Sequence, residues 1–260
     1  MEVHHHPDLH HNRKKFREYF LEFLMIFLAV TMGFLAESYH EYLNDRSKEK
    51  IYIKSLIEDL KTDSSFLELS LNKLIPYHLT WLDSTVHLLQ LKDIRGKERQ
   101  IYQAFMIGTG WSYNFHPTER TLTQLHSEGF HVIKNKEAVS SISKLETQYK
   151  NQAQITTYVE NMQNDIDLSA YSFADRSVTD KIATTAFKYF SDSSSVNLQL
   201  SDIPESATID TSDKEAIKLY VEKLKKYSFY LQYQIKLSTM ISIKEITTSI
   251  SVLNKEYNIE

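Results

Sequence analysis

The chain contains no cysteine and has little glycine or proline. Of its 260 residues, 5 are Gly and 4 are Pro. The missing cysteine excludes disulfides, thiolate metal sites and cysteine nucleophiles. Since Gly and Pro break helices and form turns, their scarcity favours long helices over a sheet-rich fold. We therefore predict an all-α protein.

Sequence signatures of catalysis are also missing. The chain has no Walker loop, no G-x-S-x-G elbow, no H-E-x-x-H pair and no Rossmann glycine pattern. Its net charge of −4 provides no basic excess for nucleic acid. We predict a non-enzymatic protein with no cofactor and no nucleic-acid partner.

One stretch is long and apolar. The uncharged run FLMIFLAVTMGFLA, residues 23–36, is shorter than the roughly twenty residues of a bilayer-spanning helix, and extension to Tyr19 includes Glu22. A cleaved signal peptide would fit, but no A-x-A-like site follows. A buried soluble helix is seldom apolar on all sides. We predict an uncleaved transmembrane helix at residues 19–38, here called the anchor segment.

The charges on either side of the anchor segment predict its orientation. Basic residues precede it: Arg13, Lys14, Lys15 and Arg17. Acidic residues are the first charges after its apolar run, which ends at Ala36: Glu37, Glu41 and Asp45. The positive-inside rule then predicts a cytoplasmic tail at residues 1–18 and an exported domain at 39–260.

Small and polar residues form a stripe along the anchor segment. At 100° per residue, one face carries Glu22, Ala29, Gly33 and Ala36, and bulky side chains cover the rest. Ala29 and Gly33 form a small-xxx-small pair that lets two helices approach closely. The stripe predicts a homo-oligomer interface. Glu22 either faces the axis of that oligomer or reaches water at the cytoplasmic headgroups.

A histidine-rich tail precedes the anchor segment. Its imidazoles belong to His4, His5, His6, His10 and His11. Such a tract can bind zinc or another divalent metal weakly. It can equally be a solvated basic tail, or a tail that binds an anionic leaflet more tightly as pH falls.

Two motifs resemble a known family. The opening "HHHPDLHHNRKKFREYFLEFLMIFLAVTMGFLAES" and the following "SLIEDLKTD" are similar to an uncharacterised family of single-pass membrane proteins of Bacteroidota. The stretch "PTERTLTQLHSEGFHVIKNKEAVSSISKLETQY", residues 117–149, resembles a segment of related anchored families. The resemblance implies a location in the bacterial inner membrane and a periplasmic domain, and it implies no activity.

The exported part has a helical pattern. We predict that the first helix ends before Pro76, that the charged residues 58–61 face solvent, and that residues 191–212 form a mobile loop. Trp111, Tyr113 and Phe115 predict either an apolar plug or a ligand surface. A long last helix follows an N-cap within residues 210–213. Alternating three- and four-residue steps give it an apolar seam: Ile217, Tyr220, Leu224, Tyr227, Leu231, Ile235 and Ser238.

These features predict a membrane-anchored envelope protein that acts in assembly or interaction. Its expected partners are the lipid bilayer, further copies of itself and other envelope proteins. The alternative is a proton- or metal-responsive sensor, or a transporter or channel accessory, that uses the histidine tail and Glu22.

Overall fold

The computed structural model describes residues 16–110, 115–192 and 198–259, and these residues form a helical protein. They contain no β-strand; Ala174 and Ile209 form an isolated antiparallel bridge. The all-α prediction is confirmed. The α-helices, in chain order, are α1 Phe16–Leu69, α2 Ile75–Leu89, α3 Glu98–Thr109, α4 Arg120–Glu128, α5 Lys136–Ala170, α6 Arg176–Asp192, α7 Lys214–Phe229 and α8 Lys236–Tyr257.

The chain divides into two compact units, and α1 contributes to both. The first unit ends at Ile51 and the second begins at Tyr52. In the first unit, the large apolar side chains of the anchor segment are exposed to a degree unusual for their type, with Phe20 at 53% and Phe34 at 68%. No surface formed by the described residues therefore removes them from solvent.

The second unit is a bundle with one apolar core. Helix α2 packs against both α3 and α7, and α5 packs along both α7 and α8. The predicted seam of the last helix faces this core: Tyr220, Leu224, Tyr227, Leu231 and Ile235 are fully buried. The three- and four-residue spacing thus identified the correct face.

The contact between α5 and α8 contains small polar side chains along its length. Ser141 Oγ donates to Ser249 Oγ at 3.0 Å, and Gln148 Nε2 donates to Ser242 Oγ at 2.9 Å. Ser238 Oγ donates to the Gln152 side-chain oxygen at 2.6 Å. Because seryl side chains are short, the two helices approach closely while their buried polar atoms stay paired.

The expected break before Pro76 is wrong. A π-helical turn, Ser70–Leu74, joins α1 to α2 without interruption, and Pro76 lies in the first turn of α2. Proline lacks an N–H and its ring clashes with the carbonyl four residues earlier. The wider π turn relieves that clash, so the helix continues. A second π-helical turn, Tyr230–Ile235, joins α7 to α8.

Glycine and capping residues set two helix ends. Gly129 follows α4 with φ of +90°, a conformation that L-residues rarely adopt. Asp213 caps α7, because its side chain accepts a hydrogen bond from the Ala216 N–H at 2.9 Å. Asp213 lies within the N-cap region predicted at residues 210–213.

The second part of the predicted mobile loop is packed. Leu198, Ile203 and Ala207 are buried, and a short 3-10 helix spans Leu200–Asp202. Arg99 Nε donates to the Ile203 carbonyl at 3.0 Å, which fastens this segment to α3. Residues 193–197 lie outside the described residues, and the mobility of the loop stays a prediction.

Candidate functional site

The predicted site residues fall in two places. His4, His5, His6, His10 and His11 lie outside the described residues, so their metal binding stays a prediction. Among the residues that the structure describes, no group of three or more His, Cys, Asp or Glu side chains is arranged to hold a metal ion.

The predicted oligomer stripe lies on α1. Glu22, Ala29, Gly33 and Ala36 are all exposed, and helical geometry at these positions places them on one face. A Cβ atom added at Gly33 would meet nothing within 4 Å. Among the residues that the structure describes, none covers this face at Gly33, so it is open there to another molecule.

The structure reveals a polar cluster that the sequence prediction missed. Two carboxylates one turn apart on α1, Asp59 and Asp63, are each 3% exposed. They point at the beginning of α4, whose N-cap residue Glu119 makes no side-chain capping bond. The first N–H groups of a helix need acceptors from elsewhere, and negative charge is stabilised there.

Asp63 accepts three kinds of hydrogen bond. The Thr118 N–H donates to it at 3.0 Å, and the Thr118 hydroxyl donates at 2.7 Å. The Tyr149 hydroxyl, from α5, donates at 2.6 Å. One carboxylate of α1 thus holds both α5 and the residues that lead into α4.

Asp59 continues this cluster along α4. The Thr121 hydroxyl donates to it at 2.5 Å and the Thr121 N–H at 3.2 Å. The Arg120 guanidinium donates at 2.7 Å and is itself 65% exposed. We call Asp59, Asp63, Thr118, Arg120, Thr121 and Tyr149 the carboxylate network.

Burial changes the proton affinities of this network. It raises the pKa of Asp63, while the hydrogen bonds from Tyr149 and Thr118 act in the opposite direction and the charge of Asp59 adds to the rise. Burial, then the charge and hydrogen bond of Asp63, raise the pKa of the Tyr149 hydroxyl far above its usual range, so that it stays a donor.

Aromatic packing surrounds the network. Phe115 is buried and stacks on Phe66 at 6.0 Å between ring centroids, and its ring meets the Tyr149 ring edge-on at 6.0 Å. The apolar-plug interpretation of Phe115 is consistent with this packing, while Trp111 and Tyr113 lie outside the described residues. A neighbouring cavity of about 230 Å³ has in its lining His126 and Glu146, which form a hydrogen bond of 2.6 Å between Nε2 and Oε1.

The arrangement is suited to positioning helices, because its oxygens already have donors within the protein. The two motifs that carried the family resemblance supply it: "SLIEDLKTD" contains both aspartates, and the stretch that begins at Pro117 contains the other four residues. A signal was present in the sequence. Asp63 falls between Leu60 and Leu67 on the buried face, where an apolar residue is the usual choice.

Another buried polar group lies between α2 and α3. His78 is 6% exposed, and its Nδ1 lies 2.8 Å from the Ile107 carbonyl oxygen. The carbonyl can only accept, so Nδ1 carries the proton. Burial lowers the pKa of His78 to about 4, against the smaller effect of the Ile107 bond. His78 is thus a packed neutral residue.

Comparisons of the chain with protein families, with curated proteins and with solved structures found no match. The helix that contains the anchor segment is long and apolar enough to cross a membrane, and none of its apolar window is buried. Length and composition alone support that statement, since the core helix of a soluble protein or a signal sequence passes the same test.

Proposed function

We propose that this chain is a single-pass inner-membrane protein that holds a helical domain in the periplasm and acts there in assembly or interaction. The observation that carries the proposal is the exposed apolar surface of the anchor segment, which precedes a well-packed helical unit in the sequence. Water disfavours such a surface, whereas lipid hydrocarbon accommodates it.

The charge distribution supports the proposed direction. The basic cluster before the anchor segment favours the cytoplasm, and Glu37, Glu41 and Asp45 follow its apolar run on the side proposed to be periplasmic. The carboxylate network supports a binding or structural role for the exported unit, because its polar atoms hold helices together and are not left open to a substrate.

Single cysteines provide the test, since the native chain has none. We would introduce Asn12→Cys in the tail, Ser143→Cys on the exposed surface of α5 and Ser70→Cys in the buried core, and treat intact spheroplasts with a membrane-impermeant maleimide. We expect labelling at position 143 in intact spheroplasts, at position 12 only after lysis, and at position 70 only after denaturation. Labelling of position 12 before lysis would show that the orientation is opposite to the proposed one. A mature chain that begins beyond Ser38 would exclude an anchor.

We further propose that copies of the chain associate through the stripe on α1. The open space at Gly33 supports this idea, because close helix contacts in membranes form at small residues. Oxidation of Ala29→Cys and Thr31→Cys variants in native membranes compares the stripe with the opposite face of the same helix. We expect disulfide-linked dimers at position 29 and few at position 31. Gly33→Leu should reduce the position-29 dimers, and equal crosslinking at both positions would contradict the interface.

A further inference from the structure

A cavity of about 600 Å³ lies between the α2–α3 connection and the first turns of α7. Its volume is within the range of about 300–1,000 Å³ that small-molecule sites occupy. Residues 89–95 line one wall and residues 211–222 line the other. The cavity is separate from the carboxylate network and from the anchor segment, so no role has been assigned to it above.

The inner wall of the cavity is apolar. Leu89, Ile94 and Val221 are buried residues of the core that reach the cavity, and Leu91 and Ile217 are half-buried beside them. A ligand that covered these side chains would remove apolar surface from water, which favours a ligand with an apolar body.

The rim of the cavity is cationic. Four of its residues are Lys92, Arg95, Lys214 and Lys218, and its two carboxylates belong to Asp93 and Glu222. The rim therefore carries a formal charge of four minus two, or +2. In a chain whose net charge is −4, this local excess of positive charge favours an anionic group on the ligand.

Two of these cations are available to a ligand. Arg95 is held by Asp93, with nitrogen–oxygen distances of 2.5–3.0 Å, and Lys218 lies 3.8 Å from Glu215. Lys92 and Lys214 are exposed, and within the described part of the chain neither forms an ion pair. The N-terminus of α7 does not supply the anion site, because Asp213 already caps it.

We infer that this cavity binds a small amphiphilic anion, with its aliphatic body against Leu89, Ile94 and Val221 and its carboxylate or phosphate between Lys92 and Lys214. The inference goes beyond the proposed anchoring role and does not depend on it. A free organic acid and an anionic lipid share this chemistry, and the experiment separates these two sources.

The experiment uses the full chain in phosphatidylcholine nanodiscs, with octanoate as the probe and calorimetric titration as the measurement. Empty nanodiscs provide the blank. Octylammonium and 1-octanol carry the same chain with a positive or neutral head. We expect saturable octanoate binding, weaker binding of octanol and none of octylammonium. No octanoate binding above the blank, or equal binding of all three probes, would overturn the inference.

Charge reversal tests the rim. The Lys92→Glu/Lys214→Glu double variant should weaken octanoate binding about tenfold or more, since two charge-assisted contacts are lost. The matched control is Lys225→Glu/Lys226→Glu, which reverses two exposed lysines of α7 outside the cavity lining and should leave affinity within about twofold. Equal affinity in the two double variants would overturn the proposed anion position.

Filling the cavity tests its floor. Ile217→Trp adds volume at a half-buried position of the lining and should abolish binding of both octanoate and octanol. Retained binding would place the ligand elsewhere and overturn the inference. Helical circular dichroism and the thermal midpoint check that each variant is folded, and Ile217→Phe replaces Ile217→Trp if the latter is not folded.

Nanodiscs with phosphatidylglycerol in place of half the phosphatidylcholine separate the two ligand sources. Both kinds of nanodisc are compared at the same high salt concentration, where repulsion of octanoate from the charged bilayer is screened. Octanoate affinity that is lower in the phosphatidylglycerol nanodiscs under these conditions indicates an anionic lipid as the natural occupant. Unchanged affinity indicates a soluble organic acid.

Discussion

The anchor segment, residues 19–38, and residues 52–69, here called the core-facing segment, belong to the same helix and distribute apolar side chains in opposite ways. In the anchor segment they cover most of the circumference and are exposed. In the core-facing segment Ile53, Leu56, Leu60 and Leu67 lie on one face and are buried. The comparison shows that the angular distribution of apolar residues, more than their number, indicates the surroundings of a helix.

The largest expected difference between the two segments is in folding stability. Leu60→Ala should lower the free energy of unfolding by about 2–5 kcal/mol, because Leu60 is 1% exposed and its removal leaves a cavity. Leu28→Ala, at a position 49% exposed, should leave it nearly unchanged. Urea unfolding of the full chain in detergent, followed by tryptophan fluorescence, compares them. Equal losses would show that the anchor segment packs against protein.

Membrane partition should show the reverse order. Leu28→Arg should disfavour insertion by about 3 kcal/mol, since a charged side chain is placed near the middle of the proposed span. Leu69→Arg, at an exposed position of the core-facing segment, is the matched control and should not affect insertion. Flotation of membranes on a density gradient measures the inserted fraction. Normal flotation of the Leu28→Arg protein would contradict the proposed span.

The stability of the second unit should depend on pH through the buried His78. The folded pKa of His78, about 4, lies below the unfolded value of 6.5, so its contribution is fully present above pH 6.5 and is lost as pH falls towards 4. This loss amounts to about 3 kcal/mol at most, from about 1.4 kcal/mol per pKa unit. His78→Asn, which keeps a donor for Ile107 and does not titrate, should flatten the dependence. Urea midpoints between pH 4 and 7 provide the measurement, and an unchanged slope would reject a buried neutral His78.

A smaller effect is expected within the core-facing segment. Asp63→Asn should cost about 1–3 kcal/mol, because an amide oxygen replaces one carboxylate oxygen and an N–H₂ group faces donors that need acceptors. Asp45→Asn, in the first unit, is the control. Thermal unfolding at pH 7 measures both. If Asp63→Asn left the stability unchanged, the network would contribute little to the position of α4.

Much of the fold was predictable where one local rule acts alone. The seam from Tyr220 to Ile235 follows helical spacing, and Asp213 and Gly129 mark helix ends through their own conformational preferences. Pro76 was misjudged because a π turn compensates for it, and the sequence pattern does not show such a turn.

The candidate site was not predictable by the same rules. Residues 58–61 were expected to face solvent, since charged side chains are rarely buried. Asp59 is nevertheless buried, because its partners Arg120 and Thr121 lie about sixty positions further along the chain. A local pattern cannot show a partner at that separation, whereas the stripe on α1 and the histidine tail are local patterns whose functions stay predictions.

The carboxylate network also has a kinetic consequence. Its bonds join Asp63 to Thr118, 55 positions further along the chain, and to Tyr149, 86 positions further along. Forming these bonds closes long loops, and loop closure has a large cost in chain entropy. Contacts of this kind form after the local helices have been built. The network should therefore form after the transition state for folding and mainly slow unfolding. Its loss should shorten the lifetime of the native state more than it delays folding.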